Sequence, residues 1–192
     1  LIAAGAQLLG KRAYGALGVA EICAVAGVPK GSFYYFFPSK QDFALAVIDE
    51  HWDQQRAQWA EILSAAAPIG ERLHELFRAT AKVQQDALEG TGSVAGCMFG
   101  NLALELSSSE PEVNERLREI FDAQVEMVQT ALGGEHSRFA GSAGIDLGGL
   151  ASSVVANLEG VVLLAKLHND PARVEANWTV TARMLGLEPA AA

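Results

Sequence analysis

The sequence predicts an all-α protein of about nine helices: an N-terminal three-helix unit containing a helix-turn-helix, then a larger helical body. Three observations carry that prediction. Apolar residues recur at three- and four-residue spacing along most of the 192 residues. The interruptions are short and built from glycine, proline, serine and aspartate, the residues that stop and start helices. No stretch alternates apolar and polar residues as a half-buried strand would.

A first helix is expected from about Ile2 to Tyr14, with Ile2, Ala6, Leu9 and Ala13 on one face. The segment VAEICAVA then sets Val19, Ile22, Cys23 and Ala26 at helical spacing, and Gly27 breaks it because glycine tolerates the left-handed backbone of a sharp turn, with Val28 dropping beneath. In the helix that follows, Phe33 and Phe37 share the inward face, which leaves Lys30, Ser32, Tyr34, Tyr35 and Phe36 on the outward side. A run of aromatics on one short helix cannot all face inward. Pro38 ends this helix, and Ser39 with Asp42 resembles a capping box for a long helix through Phe43, Val47, Trp52 and Trp59 to about Ser64.

Ala65 to Pro68 close the long helix, another spans about Ile69 to Leu88, and GTGSV is a loop. AGCMFGNLALELSSS reads as an apolar helix of about three turns, and Ser109 with Glu112 as a second capping box, opening a helix from about Glu110 to Leu132. Residues Gly133 to Gly144 form a glycine-rich polar loop. A long apolar helix from Ile145 or Asp146 reaches His168, and Asp170 with Pro171 caps a last helix to about Leu185.

Half of the residues are apolar, and the net charge is −9. The charge is unevenly placed. Residues 1–40 hold Lys11, Arg12, Lys30 and Lys40 against Glu21, a net +3, whereas the remainder holds 10 basic against 22 acidic residues, a net −12. A polyanion would be repelled by the body and drawn to the N-terminal end. Cys23 and Cys97 lie far apart in helical text, which points to reduced thiols in a cytoplasmic protein. No apolar run is expected to reach membrane-spanning length, since Gly160 to Leu167 contains Lys166 and follows Glu159. The chain starts at Leu1 within a helix and carries no signal peptide, so residues upstream are expected.

The text VAEICAVAGVPKGSFYYFFPSK resembles the helix-turn-helix signature of the TetR family of bacterial transcriptional regulators, over about Ile2 to Glu50. The resemblance implies a DNA-binding domain over 1–46 and a ligand-binding and dimerisation domain over 47–192. It places the DNA-facing positions on Lys30, Gly31, Ser32, Tyr34, Tyr35 and Lys40. Lys40 would hold a phosphate, the tyrosines would meet phosphate, sugar or a thymine methyl, and Lys30 and Ser32 would approach base edges. Two departures stand out. Leu17 and Gly18 replace the usual hydroxyl residues before the motif, so Gly18 caps without a phosphate-binding hydroxyl, and Ala20 removes a basic contact.

In the body, Trp59, Phe77, Met98, Phe99, Phe121, Met127 and Leu163 are candidate pocket residues, with Asn101, His74 and Lys166 as polar anchors, although Met and Phe at helical spacing also serve simply as core. The implied partners are double-stranded operator DNA, a small-molecule effector and a second copy docked through the last two helices, where Ala151, Ser152, Ser153, Ala156 and Gly160 permit close packing. An internal helix of the monomer would show the same pattern. Cys97, after Gly96 and before Gly-Asn-Leu-Ala, resembles a subgroup of the family in which some members respond to electrophiles or oxidants; the alternative is an inert core thiol. Lys166 either turns inward as partner to a Cys97 thiolate or snorkels to solvent.

No metal site and no cofactor are expected, because His51, His74, His136 and His168 lack ligand spacing. GAQLLGK imitates a phosphate loop but continues with Arg12 and has no strand before it. The sequon at Asn177 carries no meaning in a cytoplasmic chain. The expected function is a ligand-responsive repressor and not an enzyme. The rival is a helical small-molecule binding protein or enzyme with a degenerate helix-turn-helix.

Overall fold

The computed structural model describes residues 1–10, 12–106, 109–134 and 146–187. Nearly all of the expected Gly133 to Gly144 loop, with His136, and Lys11 lie outside the described residues. Ten α-helices and one 3-10 turn are present among those described, and no strand. The helices are α1 (Ile2–Leu9), α2 (Val19–Ala26), α3 (Lys30–Phe36), α4 (Lys40–Ser64), α5 (Ile69–Thr91), α6 (Met98–Leu106), α7 (Pro111–Gly133), α8 (Leu147–His168), α9 (Ala172–Ala176) and α10 (Trp178–Met184). The single last helix expected from the sequence is thus two, meeting at Asn177, whose side-chain amide donates to Asn157 Oδ1 and to Thr181 Oγ1.

The chain forms two compact units. The first comprises residues 1–55 and 98–120, the second residues 56–97 and 121–192. This grouping joins α6 and the start of α7 to the N-terminal helices.

In the first unit, α1 is shorter than expected and rotated. It ends at Leu9, its buried residues are Ala4, Gly5, Leu8 and Leu9, and Tyr14–Ala16 is a separate 3-10 turn. Gly5 explains the register: a Cβ there would lie 2.5 Å from Phe43 Cζ and 2.6 Å from Val47 Cγ2, so glycine lets α1 approach α4 at backbone distance. The turn after α2 follows the sequence reading. Gly27 has φ +68° and its N–H reaches Ala24 and Cys23 carbonyls, while Val28 N–H bonds Cys23 O at 3.0 Å. Phe33 is fully buried, with its ring 5.7 Å from Phe37 and 5.3 Å from Phe43.

Ser39 caps α4 as expected: its Oγ accepts from Asp42 N–H at 3.0 Å and donates to the Asp42 carboxylate at 2.7 Å. Ser109 does not cap α7. Its N–H, with that of Glu110, bonds Leu106 O and closes α6, and α7 opens on Pro111, whose missing N–H costs nothing at a first helical position.

The second unit has one apolar core in which Trp59, Leu73, Leu76, Phe77, Val128, Leu132, Val154, Leu158, Val162 and Trp178 are all buried. Asp146 caps α8 through Gly148 N–H, and Asp170 accepts from Ala172 N–H at 3.2 Å. The expectation about apolar length requires correction. Helix α8 is 22 residues long with a mean hydropathy of 1.6 in its most apolar window, long and apolar enough to cross a membrane by length and composition. The sequence reading counted only Gly160 to Leu167, whereas the apolar text begins at Leu147. One face of α8 is used internally: Ala151, Val154, Val155, Leu158, Val161, Val162 and Ala165 are buried.

Candidate nucleic-acid interface and effector site

Helix α3 rests on Phe33, so its inner face is already satisfied. On the other side Tyr34 and Tyr35 are 58% and 84% exposed, and Phe36, Lys30 and Gly31 are exposed with them. Ser32 is half-buried. Five of the six residues expected to face DNA therefore share two turns of one helix. Amphipathic tyrosines with a lysine at the helix start suit a sugar-phosphate surface better than bulk water, which leaves large rings hydrated at a cost.

Lys40 differs from the other five. Its Nζ donates to Tyr14 O at 2.5 Å and lies 4.1 Å above the centre of the Tyr14 ring. Burial lowers its pKa, offset by the charges of Glu105 and Glu110. The ammonium expected to hold a phosphate thus has an internal partner. Tyr14 itself is buried, and its phenol is pushed up to about 12 by burial, then by Glu110 and Glu105. Sequence reasoning missed Tyr14 and Glu105 as contributors to this end of the molecule, because they meet across 91 residues and no local pattern announces the pair. Of the residues that depart from the family signature, Leu17 is buried, Gly18 starts α2 with no side-chain cap and Ala20 is exposed.

The eleven candidate effector residues, Cys97 included, divide between the units. Met98, Phe99 and Asn101 belong to the first, where Phe99 is buried with its ring 5.2 Å from His51 and 6.2 Å from Trp52. Trp59 and Phe77 are core of the second unit, and Phe121, Met127 and Cys97 pack partly buried against that core. Leu163 is 54% exposed and Lys166 is exposed on α8, so neither lines the interior of this chain. Leu163 falls on the face of α8 opposite Val154 and Leu158, whereas Lys166, four residues after Val162, stands at the flank of the buried face, a distinction the spacing of the run did not make. His74 stacks on Trp178 at 5.4 Å and helps line a surface groove of about 320 Å³ with Ile62, Arg72 and Arg78.

Cys97 immediately precedes α6 and is set by the loop before it. Gly96 has φ +81°, and Gln84 brackets it, accepting Gly96 N–H at 2.8 Å and donating to Gly96 O at 3.3 Å. Asn169 holds the same loop by accepting Val94 N–H at 2.8 Å. The group that Cys97 meets is an acid: its thiol donates to the Glu159 carboxylate, whose pKa is raised by burial and partly restored by that hydrogen bond. Of the two alternatives for Lys166, its exposure on α8 favours the solvent-facing one, and Cys97 meets a carboxylate. Neither cysteine is in a disulfide, and no cluster of potential metal ligands occurs among the described residues.

An all-helical chain whose N-terminal helix-turn-helix turns an aromatic, cationic face outward defines the class of bacterial helix-turn-helix regulators. The chain belongs to the TetR family: the model for bacterial regulatory proteins of the tetR family matches residues 1–47, and that for a tetracyclin repressor-like C-terminal domain matches residues 70–181. Similar curated proteins include the HTH-type transcriptional repressor DhaR of Mycobacterium sp. (strain GP1), 37% identical over 108 residues, 56% of this chain and 50% of that protein. The transcriptional regulator AcuR of Cereibacter sphaeroides is 33% identical over 110 residues, 56% of this chain and 48% of that protein. The chain thus spans about half the length of the curated relatives it matches. Among solved structures, a TetR transcriptional regulator from Chloroflexus aurantiacus superposes with a TM-score of 0.81 at 25% identity, over 97% of this chain and 92% of that one.

Proposed function

We propose that this chain is a homodimeric, effector-responsive repressor that binds double-stranded operator DNA through residues 1–46 and senses a small molecule through residues 47–192, acting in the cytoplasm and not as an enzyme. The observation that carries the reading is the outward face of α3, where Tyr34 and Tyr35 stand exposed on a helix whose packing is already met by Phe33. Lys30, Gly31 and Ser32 at the start of that helix extend the same surface. Dimerisation through α8 and α10 is supported by the apolar residues those helices leave exposed, Leu163, Leu164, Leu167, Val180 and Met184.

For the effector, the Cys97–Glu159 contact supports an electrophile, in keeping with the Gly-Cys subgroup. An activated alkene would form a C–S bond at its β-carbon, the thiol proton passing to the Glu159 carboxylate and on to the α-carbon, so that atoms and charge balance. The test is a gel shift with the DNA upstream of the chain's own coding sequence, before and after N-ethylmaleimide. Support consists of a shifted band that the reagent releases in wild type and not in Cys97→Ser. A chain that shifts no such DNA would favour a small-molecule binding protein with a degenerate helix-turn-helix, and release that persists in Cys97→Ser would remove the thiol from the sensor.

A further inference from the structure

The connection between α1 and α2 is short, and its polar groups are held from two other helices. Glu105, in the last turn of α6, accepts Tyr14 N–H through Oε2 at 2.8 Å and Gly15 N–H through Oε1 at 2.7 Å. Lys40, the first residue of α4, takes the Tyr14 carbonyl and covers the Tyr14 ring. The N–H, C=O and ring of Tyr14 are therefore each engaged by a charged side chain, and the residue as a whole is only 7% exposed. Both carboxylate oxygens of Glu105 are used on adjacent amides, a two-point contact that fixes the direction of the turn as well as its position. Gly15 leaves room for it: a Cβ there would stand 3.3 Å from Glu105 Oε1. Leu17, at the end of the turn, is buried and leads directly into α2, so the turn sets how α2 and then α3 leave α1.

We propose that Glu105 and Lys40 form a splint on the Tyr14–Ala16 turn that fixes the attitude of α2 and α3 for DNA recognition, with Glu105 a positioning residue that does not touch the duplex itself. The proposal rests on the regulator reading above. It adds to the role the sequence suggests for Lys40: one N–H of the half-buried ammonium holds the Tyr14 carbonyl, and its other donors stay available to a phosphate.

The probe is a duplex selected by the wild-type chain from a random-sequence pool, compared with a duplex of arbitrary sequence, both titrated against Glu105→Gln and Lys40→Met across a salt series. An amide in place of the carboxylate can accept only one of the two N–H groups and sets an NH₂ against the other. Expected are a loss of about tenfold or more in the ratio of selected to arbitrary affinity in both variants, a log–log salt slope unchanged from wild type in Glu105→Gln, and faster exchange of the Tyr14 and Gly15 amides in that variant with helix content retained. A Lys40→Met variant that loses affinity equally for both duplexes, with a salt slope reduced by about one, would make Lys40 a phosphate ligand only and overturn the splint. Unchanged affinity of Glu105→Gln for the selected duplex would overturn it too. Should Glu105→Gln fail to fold, Lys40→Met decides by its ratio of selected to arbitrary affinity, which a phosphate contact alone leaves unchanged. A wild-type chain that selects no duplex would overturn the regulator reading itself, whereas failure of the variants to differ from a wild type that does select would overturn the splint alone.

Discussion

Gly31 is the residue at which stability and recognition should part company. It is the second residue of α3, and an added Cβ would meet nothing within 4 Å, so no packing reason within the chain demands glycine there. Its φ is not among the left-handed ones, so no backbone reason does either. Alanine in a helix interior is favoured over glycine by about 0.8–1.0 kcal/mol, less near a helix start, so Gly31→Ala should stabilise the chain by roughly 0.5–1 kcal/mol. For a protein of this length that is about 1–4 °C in Tm. If the open space is where the duplex backbone sits, the same methyl intrudes on a close contact and costs on the order of 1–3 kcal/mol of binding, about 5- to 150-fold in Kd. A thermal melt followed by circular dichroism reads the first effect, and fluorescence anisotropy with a selected duplex at fixed ionic strength reads the second. A higher Tm with unchanged Kd would refute the placement of Gly31 against DNA, and a lower Tm would refute the helical environment assigned to it.

Gly5→Ala should behave oppositely. Phe43 is fully buried and ringed by Phe33 and Phe37, so it cannot yield to a Cβ at 2.5 Å; overpacking of about 1–3 kcal/mol should exceed the helix-propensity gain of about 1 kcal/mol and lower the urea midpoint. His51 is held neutral because burial lowers its pKa from 6.5. The folded state then binds fewer protons than the unfolded one, so stability should be constant above that value and fall as pH drops below it. His51→Gln should flatten this acid limb in urea titrations at several pH values, and an unchanged limb would exclude His51 as its source. Replacing exposed Leu164 and Leu167 together by Glu should convert a dimer to a monomer in sedimentation velocity without loss of helix content, since neither side chain is buried within the chain.

The local features were legible in the sequence wherever a few neighbouring residues determine them. Gly27 needed only its own left-handed geometry, Ser39 only Asp42, and the split between Phe33 inward and Tyr35 outward only helical periodicity. What the sequence withheld depends on distant partners. The face of α1 was misjudged because its register is set by Phe43 and Val47 on another helix, which a periodic pattern of alanines and leucines does not encode. The hold of Lys40 on the Tyr14 carbonyl was not legible, because the charge of Lys40 is local information whereas Tyr14 lies 26 residues away and Glu105 approaches the same turn from α6. The sequence left Lys166 between an inward partner of Cys97 and a solvent-facing side chain, because on a helix such as α8, apolar on both sides, the inward direction is chosen by packing. Glu159, seven residues earlier on that helix, is the side chain that meets the thiol.

Selection of duplexes from a random-sequence pool by the full chain tests the central claim most directly, because it assumes neither operator nor effector. Two copies of α3 related by a two-fold axis should enrich an inverted repeat, and replacing exposed Tyr34 and Tyr35 by Ala should abolish the enrichment while leaving the fold intact. Recovery of no common sequence by the wild-type chain, or of the same repeat by the double variant, would contradict the assignment of α3 as the reading element.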